Sequence, residues 1–432
     1  MVNTYEEALD WLQSRHKFGI KPGLDRMEWM LEQFGHPERR LKTVHIAGTN
    51  GKGSVVAFLN SILTEAGYEV GTFTSPYIER FNERIACGGR QIPDDDIVRL
   101  VNDIRPVVEE AESAGPGAPT EFEVVTLMAI LYFANAAYPD IVLFETGLGG
   151  RLDSTNVIHP LVSIITNISM DHANILGGTI PQIAAEKAGI IKNGVPVITA
   201  ADHPEAVKVI EKKASEKNSK LYRYGIGFTT SNHTSMENAE TFDYLSAFSN
   251  RKGLQTGLIG RHQISNAALA LMAADFLKMF YSFIINDGHV ETGLRNAFWP
   301  ARFEKVADKP AIILDGAHNE AGIRSLVQTV HTKYAGKKVW ILFAALTTKD
   351  LPAMTRMLEE GADRVIYTSF DFPNAAAAQT LYSIHPDNGR KEWNESWMDA
   401  INASTKLIAE NDILIITGSL YFLSGVRSAF VL

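Results

Sequence analysis

The stretch VHIAGTNGKGSVVAF, residues 44–58, has the residue types of a phosphate-binding turn but an unusual spacing. The usual motif, G-x-x-x-x-G-K-[ST], places the hydroxyl directly after the lysine, whereas here Lys52 is followed by Gly53 and only then by Ser54. A glycine-rich turn between a strand and a helix directs backbone N–H groups and the positive end of the helix dipole at one spot, which suits a polyphosphate. The alternative is a tight turn with a solvated lysine.

Acidic, hydroxyl and imidazole side chains follow other strand-like runs. Glu145 ends the run IVLFE, Asp171 and His172 follow VSIITNISM, and Ser75 follows VGTFT. Ligands of open α/β sheets bind beyond the carboxyl ends of the strands, so these residues are expected at one edge, facing solvent. Together with a phosphate loop they predict Mg²⁺ coordination completed by a nucleotide. Singly, Glu145 also fits a surface acid, His172 a turn residue bonded to backbone, and Ser75 a cap.

Further charged residues lie in similar places. Lys187 is in a helical stretch, AAEKAGIIKNG, where its simplest role is an ion pair with Glu186 or another neighbour. Asp315 and His318 follow the later strand-like run AIILD, and Arg302 lies where two parts of the sequence join. Polar residues at strand ends in both parts predict a cleft that closes around substrates and excludes water.

The elements that must position these residues alternate between strand and helix patterns. Four apolar runs separated by helical stretches predict right-handed βαβ units and a mostly parallel sheet: TVHIA (43–47), IVLFE (141–145), LVSIIT (161–166) and VPVIT (195–199). Short aromatic and threonine-rich strands at 220–260 indicate antiparallel excursions, and HQISNAALALMAADFLKMF (262–280) predicts a long helix.

A second series of strands and helices begins near residue 311, with the runs AIILD, KVWILFAAL, RVIYTSF and DILIITGSL. This restart predicts a separate domain joined near Trp299-Pro300. We therefore expect an α/β protein with two domains. Residues 1–298 would form a P-loop ATPase-like domain on a mostly parallel sheet, and residues 299–432 a smaller Rossmann-like α/β domain.

The composition of the 432 residues excludes several classes of function. A net charge of -9 without an extended Lys/Arg run argues against nucleic acid or anionic membrane as the main partner. The acidic, amphipathic N-terminus and the lack of an apolar stretch of ~20 residues favour a cytoplasmic protein. The single cysteine, Cys87, rules out internal disulfides and CxxC pairs, and a packing or surface role is expected for it.

Eight motifs follow one another along the chain: HIAGTNGKGS, TSPYIERFNERI, ETGLGGRLDSTN, SMDHANILGGTIPQIAAEKAGIIK, GRHQISNAALA, ARFE, LDGAHN and TGSLYFLSGVR. Together they resemble those of the folylpolyglutamate synthase and dihydrofolate synthase family, within the Mur ligase superfamily of ATP-dependent amide-bond-forming enzymes. The resemblance covers the chain from about residue 19 to its C-terminus, and the glycine before Ser54 resembles that superfamily's variant phosphate loop.

The resemblance implies an ATP-dependent glutamate ligase that acts on folates. The terminal carboxylate of the folate would attack the γ-phosphate of ATP, and the amine of glutamate would displace phosphate from the acyl phosphate. By matching motif, the residues that hold phosphate are Asn50, Gly51, Lys52, Gly53 and Ser54, and those that bind Mg²⁺ are Ser75, Glu145 and His172.

Other roles are implied in the same way. Lys187 resembles a lysine that becomes carbamylated in this family and can bind a second metal ion. The implied ATP contacts from the later motifs are Asn266, Arg302 and Asp315, and His318 is implied near the glutamate. Lys52, Lys187 and His318 are the implied catalytic residues.

Three segments resemble the stretches that hold the pterin substrate. They are Gly23, Leu24, Asp25 and Arg26; Thr120, Glu121, Phe122 and Glu123; and Leu152, Asp153 and Ser154. Two residues depart from the family pattern: Tyr77 stands where many relatives carry histidine, and Ala301 where glycine is usual. Neither is an implied metal or phosphate ligand, so the departures concern the folate loop and the hinge.

Two other functions stay open at this point. One is a cell-wall Mur-type ligase that acts on a UDP-sugar peptide. The position of the phosphate loop argues against this function, because too few residues precede the loop to form a separate UDP-binding domain. The other is a nucleotide-binding module without turnover. The presence of Glu145, His172 and Lys187 argues against this function. The expected partners are small molecules, namely folate or dihydropteroate, glutamate and ATP, and the expected state is a monomer. Whether dihydrofolate synthase activity is also present is left open.

Overall fold

The computed structural model describes residues 1–19 and 21–431, which divide into two compact units. The first unit comprises Met1–Ser231, Asp243–Leu254 and Ser265–Asn296. The second unit comprises Ala297–Leu432 together with two earlier segments, Asn232–Phe242 and Gln255–Ile264. No helix among the described residues is long and apolar enough to cross a membrane.

The first unit contains an eight-stranded sheet in the order β4-β3-β2-β5-β1-β6-β7-β8. Strands β2, β5, β1, β6, β7 and β8 pair in parallel, while β3 and β4 extend one edge in antiparallel fashion. The strands are β1 Thr43–Ala47, β2 Val70–Phe73, β3 Ile85–Cys87, β4 Arg90–Gln91, β5 Ile141–Glu145, β6 Val162–Ile165, β7 Val197–Thr199 and β8 Leu221–Arg223. The mostly parallel sheet expected from the alternating pattern is confirmed, with β1 in its interior.

Helices connect these strands because parallel neighbours require a crossover. The helices up to residue 296 are α1 Tyr5–Gln13, α2 Asp25–Gln33, α3 Lys52–Glu65, α4 Asp94–Ser113, α5 Glu121–Tyr132, α6 Ala173–Leu176, α7 Ile180–Ala188, α8 Pro204–Glu216, α9 Arg261–Tyr281 and α10 Asp287–Asn296. Short 3-10 helices span Ser14–Phe18, Pro37–Arg40, Phe81–Arg84 and Ser154–Val157, and a π-helical turn spans Phe133–Ala137. The long helix predicted over 262–280 is confirmed as α9.

Apolar side chains from the strands and helices form the core of the first unit. One cluster joins Phe73 of β2 and Phe144 of β5 to residues of α1, α2, α4 and α5. A second cluster joins Ile165 of β6 and Val197 of β7 to residues of α7 and α8. Cys87 is buried beside the first of these clusters, and burial raises the pKa of its thiol to about 11, so its packing role is confirmed.

The region from 220 to 260 differs in part from its expected antiparallel arrangement. β8 pairs in parallel with β7 and completes the eight-stranded sheet. The next three strands, β9 Phe228–Met236, β10 Ala239–Ser246 and β11 Asn250–Thr256, form a separate sheet in the order β11-β10-β9. The short aromatic run at 221–223 therefore continues the βα series before the chain leaves it.

The second unit contains a six-stranded sheet in the order β12-β13-β17-β14-β15-β16, in which only β12 pairs in antiparallel fashion. Its strands are β12 Glu304–Asp308, β13 Ala311–Asp315, β14 Val339–Phe343, β15 Arg364–Ser369, β16 Lys391–Ser396 and β17 Ile413–Thr417. Its helices are α11 Glu320–Lys333, α12 Leu351–Gly361, α13 Ala378–Tyr382, α14 Trp397–Leu407 and α15 Leu420–Val431. The four apolar runs are confirmed as strands, so both units have the predicted α/β class.

Candidate functional site: a phosphate loop and the residues around it

The glycine-rich turn connects β1 to α3, which begins at Lys52. Gly48 and Gly51 have φ angles of 151° and 86°, a region that favours glycine. A Cβ atom on Gly48 would lie 1.8 Å from Oγ1 of Thr166, and one on Gly51 would lie 2.4 Å from Oδ1 of Asn266. Both glycines are therefore required by the close approach of neighbouring side chains.

The segment after β6 fixes the backbone of this turn. The N–H of Asn50 donates to Oδ1 of Asn167 at 2.8 Å, and the N–H of Thr49 donates to the carbonyl oxygen of Asn167 at 3.0 Å. Thr166 Oγ1 donates to the carbonyl oxygen of Asn50 at 2.6 Å. These bonds hold the turn open at the N-terminus of α3, as a phosphate-binding loop requires.

Lys52 is held close to the loop backbone rather than solvated. Its side chain is 17% exposed, and Nζ donates to the carbonyl oxygens of Gly48 at 3.2 Å and Thr49 at 3.4 Å. The same Nζ lies 3.9 Å from Oε1 of Glu145. The alternative of a turn with a solvated lysine is therefore wrong for this chain.

Ser54 supplies the hydroxyl of the motif. It is 1% exposed, and its Oγ has no hydrogen-bond partner among the described residues. A buried hydroxyl without a partner costs free energy, so such groups usually point to a ligand or to function. Its place in the first turn of α3 fits a ligand bound by the loop.

The three expected metal ligands follow three of the strands. Ser75 lies two residues after β2 and is half-buried, Glu145 is the last residue of β5, and His172 precedes α6 with a φ of 50°. The side chain of His172 is 44% exposed, and its Nε2 lies 3.9 Å from Oδ1 of Asp171.

Glu145 differs from the expectation that it faces solvent. It is only 5% exposed, because β5 lies between β1 and β2 in the sheet. Among residues 1–19 and 21–431, no group of three or more His, Cys, Asp and Glu side chains is arranged to hold a metal ion. A metal bound here would therefore need other donors beside these four side-chain types, such as a hydroxyl or phosphate oxygens.

Lys187 lies in α7 and reaches the phosphate loop. It is 4% exposed, and its Nζ donates to the carbonyl oxygen of Gly48 at 2.9 Å. Burial lowers the pKa of Lys187 to about 7, helped by the nearby ammonium of Lys52 and opposed by Asp171 and Asp153. A large fraction of this amine is therefore neutral near pH 7, unlike that of an ordinary lysine.

The ion pair between Lys187 and Glu186, one alternative role for this lysine, is not formed. Glu186 pairs instead with Arg151, with 2.8 Å between Oε1 and Nη2. Consecutive helix residues point about 100° apart, so the two side chains leave α7 in different directions. Of these two side chains, only that of Lys187 is directed at the carbonyl oxygen of Gly48.

Two of the three expected pterin segments meet at the start of α5. Thr120 caps the helix by accepting from the N–H of Glu123, and the Glu123 carboxylate accepts from the N–H of Thr120 at 2.7 Å. Arg26 Nε donates to Oε1 of the buried Glu123 at 2.9 Å. Gly23 and Leu24 precede α2 and are half-buried, whereas Asp25 is exposed.

The other two residues of the second segment, Glu121 and Phe122, are the first two residues of α5. Glu121 forms a close ion pair with Arg84, whose guanidinium also lies 5.7 Å above the ring of Phe122. Phe122 packs so closely on Gly147 that a Cβ there would lie 2.5 Å from Cζ of the ring. Arg84 is a residue that sequence reasoning missed, although an arginine beside an apolar strand within the TSPYIERFNERI motif was a usable signal.

The third segment is folded around a buried carboxylate. Asp153 is 5% exposed, its Oδ2 accepts from the N–H of Leu148 at 2.8 Å, and its Oδ1 accepts from the N–H of Thr155 at 3.0 Å. Burial raises the pKa of Asp153, against the effect of these hydrogen bonds. Leu152 is half-buried and Ser154 is buried, and all of these residues belong to the first unit.

In the second unit, Asp315 is the last residue of β13, His318 follows it, and Arg302 precedes β12. Asp315 accepts from the N–H of Ala317 through Oδ1 and from the N–H of Phe303 through Oδ2, both at 3.0 Å. Burial raises the pKa of Asp315, and the nearby Arg302 guanidinium opposes that shift. His318 Nδ1 lies 2.8 Å from the carbonyl oxygen of Gly316, in the loop before α11.

Ala301, one of the two departures from the family pattern, has a left-handed backbone. Its φ is 55°, and that of Phe303 is 53°. Left-handed φ values are costly for residues with a Cβ, which explains in physical terms why glycine suits this position. Tyr77, the other departure, is 37% exposed and lies with its ring 6.1 Å from that of Phe81.

Comparison with known families assigns both parts of the chain to one class of enzyme. The model of the Mur ligase middle domain matches residues 46–274, and that of the Mur ligase glutamate ligase domain matches residues 301–420. The chain therefore belongs to the Mur ligase family.

Within that family the similar proteins share one pair of names. The chain is 44% identical over 427 residues to dihydrofolate synthase/folylpolyglutamate synthase of Bacillus subtilis, covering 99% of both chains. It is 32% identical to folylpolyglutamate synthase of Lacticaseibacillus casei, again covering 99% of both.

A similar solved structure is Mycobacterium tuberculosis folylpolyglutamate synthase complexed with ADP, with a TM-score of 0.92 and 29% identity over 99% of this chain and 98% of that one. An FPGS-AMPPCP-folate complex matches with a TM-score of 0.85 and 31% identity over 99% of both chains. The resemblance stated from the motifs is confirmed.

Proposed function

We propose that this protein is an ATP-dependent ligase that adds L-glutamate to the terminal carboxylate of folates, through an acyl phosphate. The observation that carries the proposal is the phosphate loop, in which Lys52 and the unpartnered Ser54 hydroxyl lie at the start of α3. The full-length similarity to dihydrofolate synthase/folylpolyglutamate synthase supports the choice of substrates. Relatives solved with ADP and with AMPPCP and folate support ATP and folate as ligands.

The reaction needs orientation and charge neutralisation more than a nucleophilic side chain. A folate carboxylate oxygen attacks the γ-phosphorus of ATP, and the bond to the β,γ-bridging oxygen breaks to release ADP. The neutral amine of glutamate then attacks the acyl carbon, phosphate leaves, and the amine loses a proton. In this proposal Asn50, Gly51, Lys52, Gly53 and Ser54 hold the phosphates, with the Lys52 ammonium stabilising the charge that moves onto ADP.

Ser75, Glu145 and His172 would hold Mg²⁺ beside the phosphates. The Ser75 hydroxyl and the Glu145 carboxylate are oxygen donors of the kind that Mg²⁺ prefers and can share the ion with phosphate oxygens, whereas the imidazole of His172 is an unusual ligand for magnesium. The buried Glu145 carboxylate, 3.9 Å from the Lys52 ammonium, supports this reading. When bound, Mg²⁺ neutralises charge on the β- and γ-phosphates.

Lys187 is proposed to become carbamylated and to take part in a second metal site. A carbamate forms from a neutral amine and CO₂, and the lowered pKa of Lys187, about 7, supplies the neutral amine. The reaction joins the nitrogen to the carbon of CO₂ and releases one proton. The product is an anion where the chain otherwise has a cation.

The remaining roles rest on the resemblance. In the second unit, Arg302 and Asp315 would bind ATP and His318 would act near the glutamate, and in the first unit Asn266 would bind ATP. Residues 1–298 would thus be the ATP-binding domain with the folate site, and residues 299–432 the glutamate-ligase domain. The match of residues 301–420 to a glutamate ligase domain supports this division.

The pterin part of the folate would be bound by three segments of the first unit. They are Gly23, Leu24, Asp25 and Arg26; Thr120, Glu121, Phe122 and Glu123; and Leu152, Asp153 and Ser154. The ion pair between Arg26 and Glu123 supports a shared role for the first two.

A second activity is favoured by the name of one relative. The Bacillus subtilis protein is called both dihydrofolate synthase and folylpolyglutamate synthase. Both reactions join glutamate to a carboxylate, so the same ATP site serves either one and only the acceptor pocket differs. We propose that dihydropteroate is a second acceptor.

Phosphate release measured with Mg-ATP tests the proposal. We expect release that depends on both glutamate and a reduced folate monoglutamate, and a parallel assay with dihydropteroate decides the second activity. Phosphate release no faster with both co-substrates than with ATP alone would overturn the ligase assignment. Turnover of dihydropteroate alone would remove the polyglutamate activity and leave the ligase mechanism.

The setting of the enzyme is proposed from its sequence. The net charge of -9 and the small-molecule substrates support a cytoplasmic monomer that works without nucleic acid or membrane. Light scattering on the purified protein, with and without ATP and folate, tests the monomer.

A further inference from the structure

A buried polar chain links the strand before the phosphate loop to the third pterin segment. His45 lies in β1, completely buried, and its Nε2 is 2.8 Å from Oγ1 of Thr155. Thr155 is also completely buried, and its hydroxyl forms a close hydrogen bond with Oδ1 of Asp153. Neither His45 nor Thr155 has a role in the proposed reaction.

The direction of the protons in this chain follows from the donors available. Thr155 has a single hydroxyl proton, which it donates to Oδ1 of Asp153. The Thr155 oxygen must then accept from His45, which places the imidazole proton on Nε2. Nδ1 of His45, which has no partner among the described residues, is left as an acceptor, a smaller loss than an unpaired donor.

His45 is a fixed donor rather than a titrating group. Burial, together with the nearby positive charge of Lys192, lowers the pKa of His45 to about 3. The imidazole is therefore neutral near pH 7. Its place in the middle of β1, paired with β5 and β6, also prevents movement.

The far end of the chain determines the conformation of the loop. The Asp153 carboxylate accepts from the N–H groups of Leu148 and Thr155 as well as from the Thr155 hydroxyl. The backbone on both sides of Asp153 is thereby wrapped around one carboxylate. The carboxylate is linked through Thr155 to His45 of β1. His45 lies three residues before Gly48, the first glycine of the phosphate loop.

We propose that His45 and Thr155 are positioning residues that hold Leu152–Ser154 in the conformation that binds the pterin part of the folate. They act through Asp153 and touch no substrate. The proposal rests on the proposed function, because it needs Leu152–Ser154 to be a folate contact. It adds a reason for a histidine in an otherwise apolar strand.

The test is the variant Thr155→Val, which keeps the shape of the side chain and removes the hydroxyl. We expect the KM for the folate acceptor to rise about tenfold, because Asp153 and His45 both lose a buried hydrogen bond. The KM for ATP, the KM for glutamate and kcat should not change. Thr155→Ser, which restores the hydroxyl, should return the folate KM toward that of the wild type.

Thr199→Val is a matched control. Thr199 is 1% exposed, and its hydroxyl donates to the carbonyl oxygen of Ile165 at 2.8 Å and accepts from the N–H of Ala201 at 3.1 Å. Removing the Thr199 hydroxyl should lower the melting temperature about as much as removing the Thr155 hydroxyl. It should leave the folate KM unchanged. Equal changes in folate KM for the two variants would mark Thr155 as a structural residue only.

A second pair of variants covers the case in which Thr155→Val does not fold. His45→Gln retains an amide N–H close to the position of the imidazole Nε2, whereas His45→Met does not. We expect only His45→Met to raise the folate KM, and equal values for the two would overturn the proposal. Failure of the proposed function has a different signature, since the wild type would then release no phosphate in response to folate and glutamate.

Discussion

The Nζ of Lys187 donates to the carbonyl oxygen of Gly48 at 2.9 Å, which joins helix α7 to the first glycine of the phosphate loop. The Nζ of Lys52 donates to the same carbonyl oxygen at 3.2 Å. Burial lowers the pKa of Lys187 to about 7, and the nearby positive charge of Lys52 contributes to the shift. The lowered pKa favours a neutral amine at Lys187, which is the form that carbamylation requires.

Replacing Lys187 with alanine should cripple the ligase. The variant loses the proposed carbamate and with it a metal ligand, so we expect turnover to fall by at least about a hundredfold. A small added carboxylate such as formate or acetate should restore part of the activity, because it can occupy the space of the carbamate. Phosphate release in a titration of the added carboxylate measures both effects. Full activity of Lys187→Ala without any addition would show that Lys187 is structural.

The lowered pKa of Lys187 also makes stability depend on pH. Between the folded pKa of about 7 and the usual lysine value near ~10.4, the unfolded state binds more protons, so the free energy of unfolding rises with pH. The cost of burying the ammonium is complete below pH ~7 and is removed as the pH rises above it. The slope from this residue alone is at most about 1.4 kcal/mol per pH unit.

Denaturant unfolding in CO₂-free buffer, at intervals from pH 6.5 to 9.5, measures this dependence. Lys187→Met fills similar space without a charge, so its unfolding free energy should rise less steeply over the same interval. Parallel profiles for wild type and Lys187→Met would contradict the lowered pKa.

Much of the first unit was predictable from patterns local in sequence. The bounds of β1 and β5 coincide with the apolar runs TVHIA and IVLFE, since continuous apolar runs favour buried parallel strands. In the second unit, β12 and β16 were missed because EKVAD and KEWNES are short, rich in charged residues and lack a continuous apolar run, as is common in edge strands.

The candidate site was less predictable, because its contacts join distant parts of the chain. The phosphate loop could be recognised from glycine, lysine and serine at close spacing. The bond between His45 and Thr155 spans 110 residues, and no local pattern reports it. Glu145 is buried because β5 lies between β2 and β1 in the sheet. The sequence shows only that Glu145 ends a strand, and it does not show the order of the strands.

Replacing Ser54 with alanine should separate activity from stability. The Ser54 hydroxyl is buried without a partner, so its removal should leave the melting temperature unchanged or slightly higher. If the hydroxyl serves the bound nucleotide and its metal, the KM for Mg-ATP should rise or kcat should fall by about tenfold or more.

Ser163→Ala is the control for this variant. Ser163 is also completely buried, but its Oγ donates to the carbonyl oxygen of Ile190 at 3.1 Å. Its removal should cost about 1 kcal/mol of stability and leave the kinetics unchanged. A loss of stability without a kinetic effect in Ser54→Ala would show that the hydroxyl has no ligand.

His172 tests the proposed metal site without disturbing the core. Its side chain is 44% exposed, so His172→Ala should melt with the wild type. We expect turnover to fall by about a hundredfold and the Mg²⁺ concentration for half-maximal activity to rise. His203→Ala, which removes another exposed histidine, should change neither the turnover nor the Mg²⁺ dependence.

Glu145→Gln should show the same loss of turnover as His172→Ala. Any change in its melting temperature would reflect the burial of the Glu145 side chain. Unchanged Mg²⁺ dependence in both His172→Ala and Glu145→Gln would remove these residues from the metal site.

The last prediction concerns the first glycine of the loop. Gly48→Ala introduces a Cβ that would lie 1.8 Å from Oγ1 of Thr166, at a backbone φ of 151°. Thr166 can move only by losing its bond to the carbonyl oxygen of Asn50, so the loop itself must rearrange. We expect the KM for ATP to rise by at least about tenfold, together with a loss of about 1–3 kcal/mol in unfolding free energy.

Gly67→Ala separates backbone strain from the collision. Gly67 has a φ of 87°, and a Cβ there meets no heavy atom within 4 Å. This variant should lose about 1 kcal/mol of stability through backbone strain alone and keep the wild-type KM for ATP. Denaturant unfolding and initial rates on the two variants distinguish backbone strain from the collision with Thr166.

If both variants raised the KM for ATP equally, the defect would follow general destabilisation rather than the contact between Gly48 and Thr166. If Gly48→Ala kept the wild-type KM, the turn would tolerate a side chain and its assignment as a close-fitting phosphate loop would be wrong.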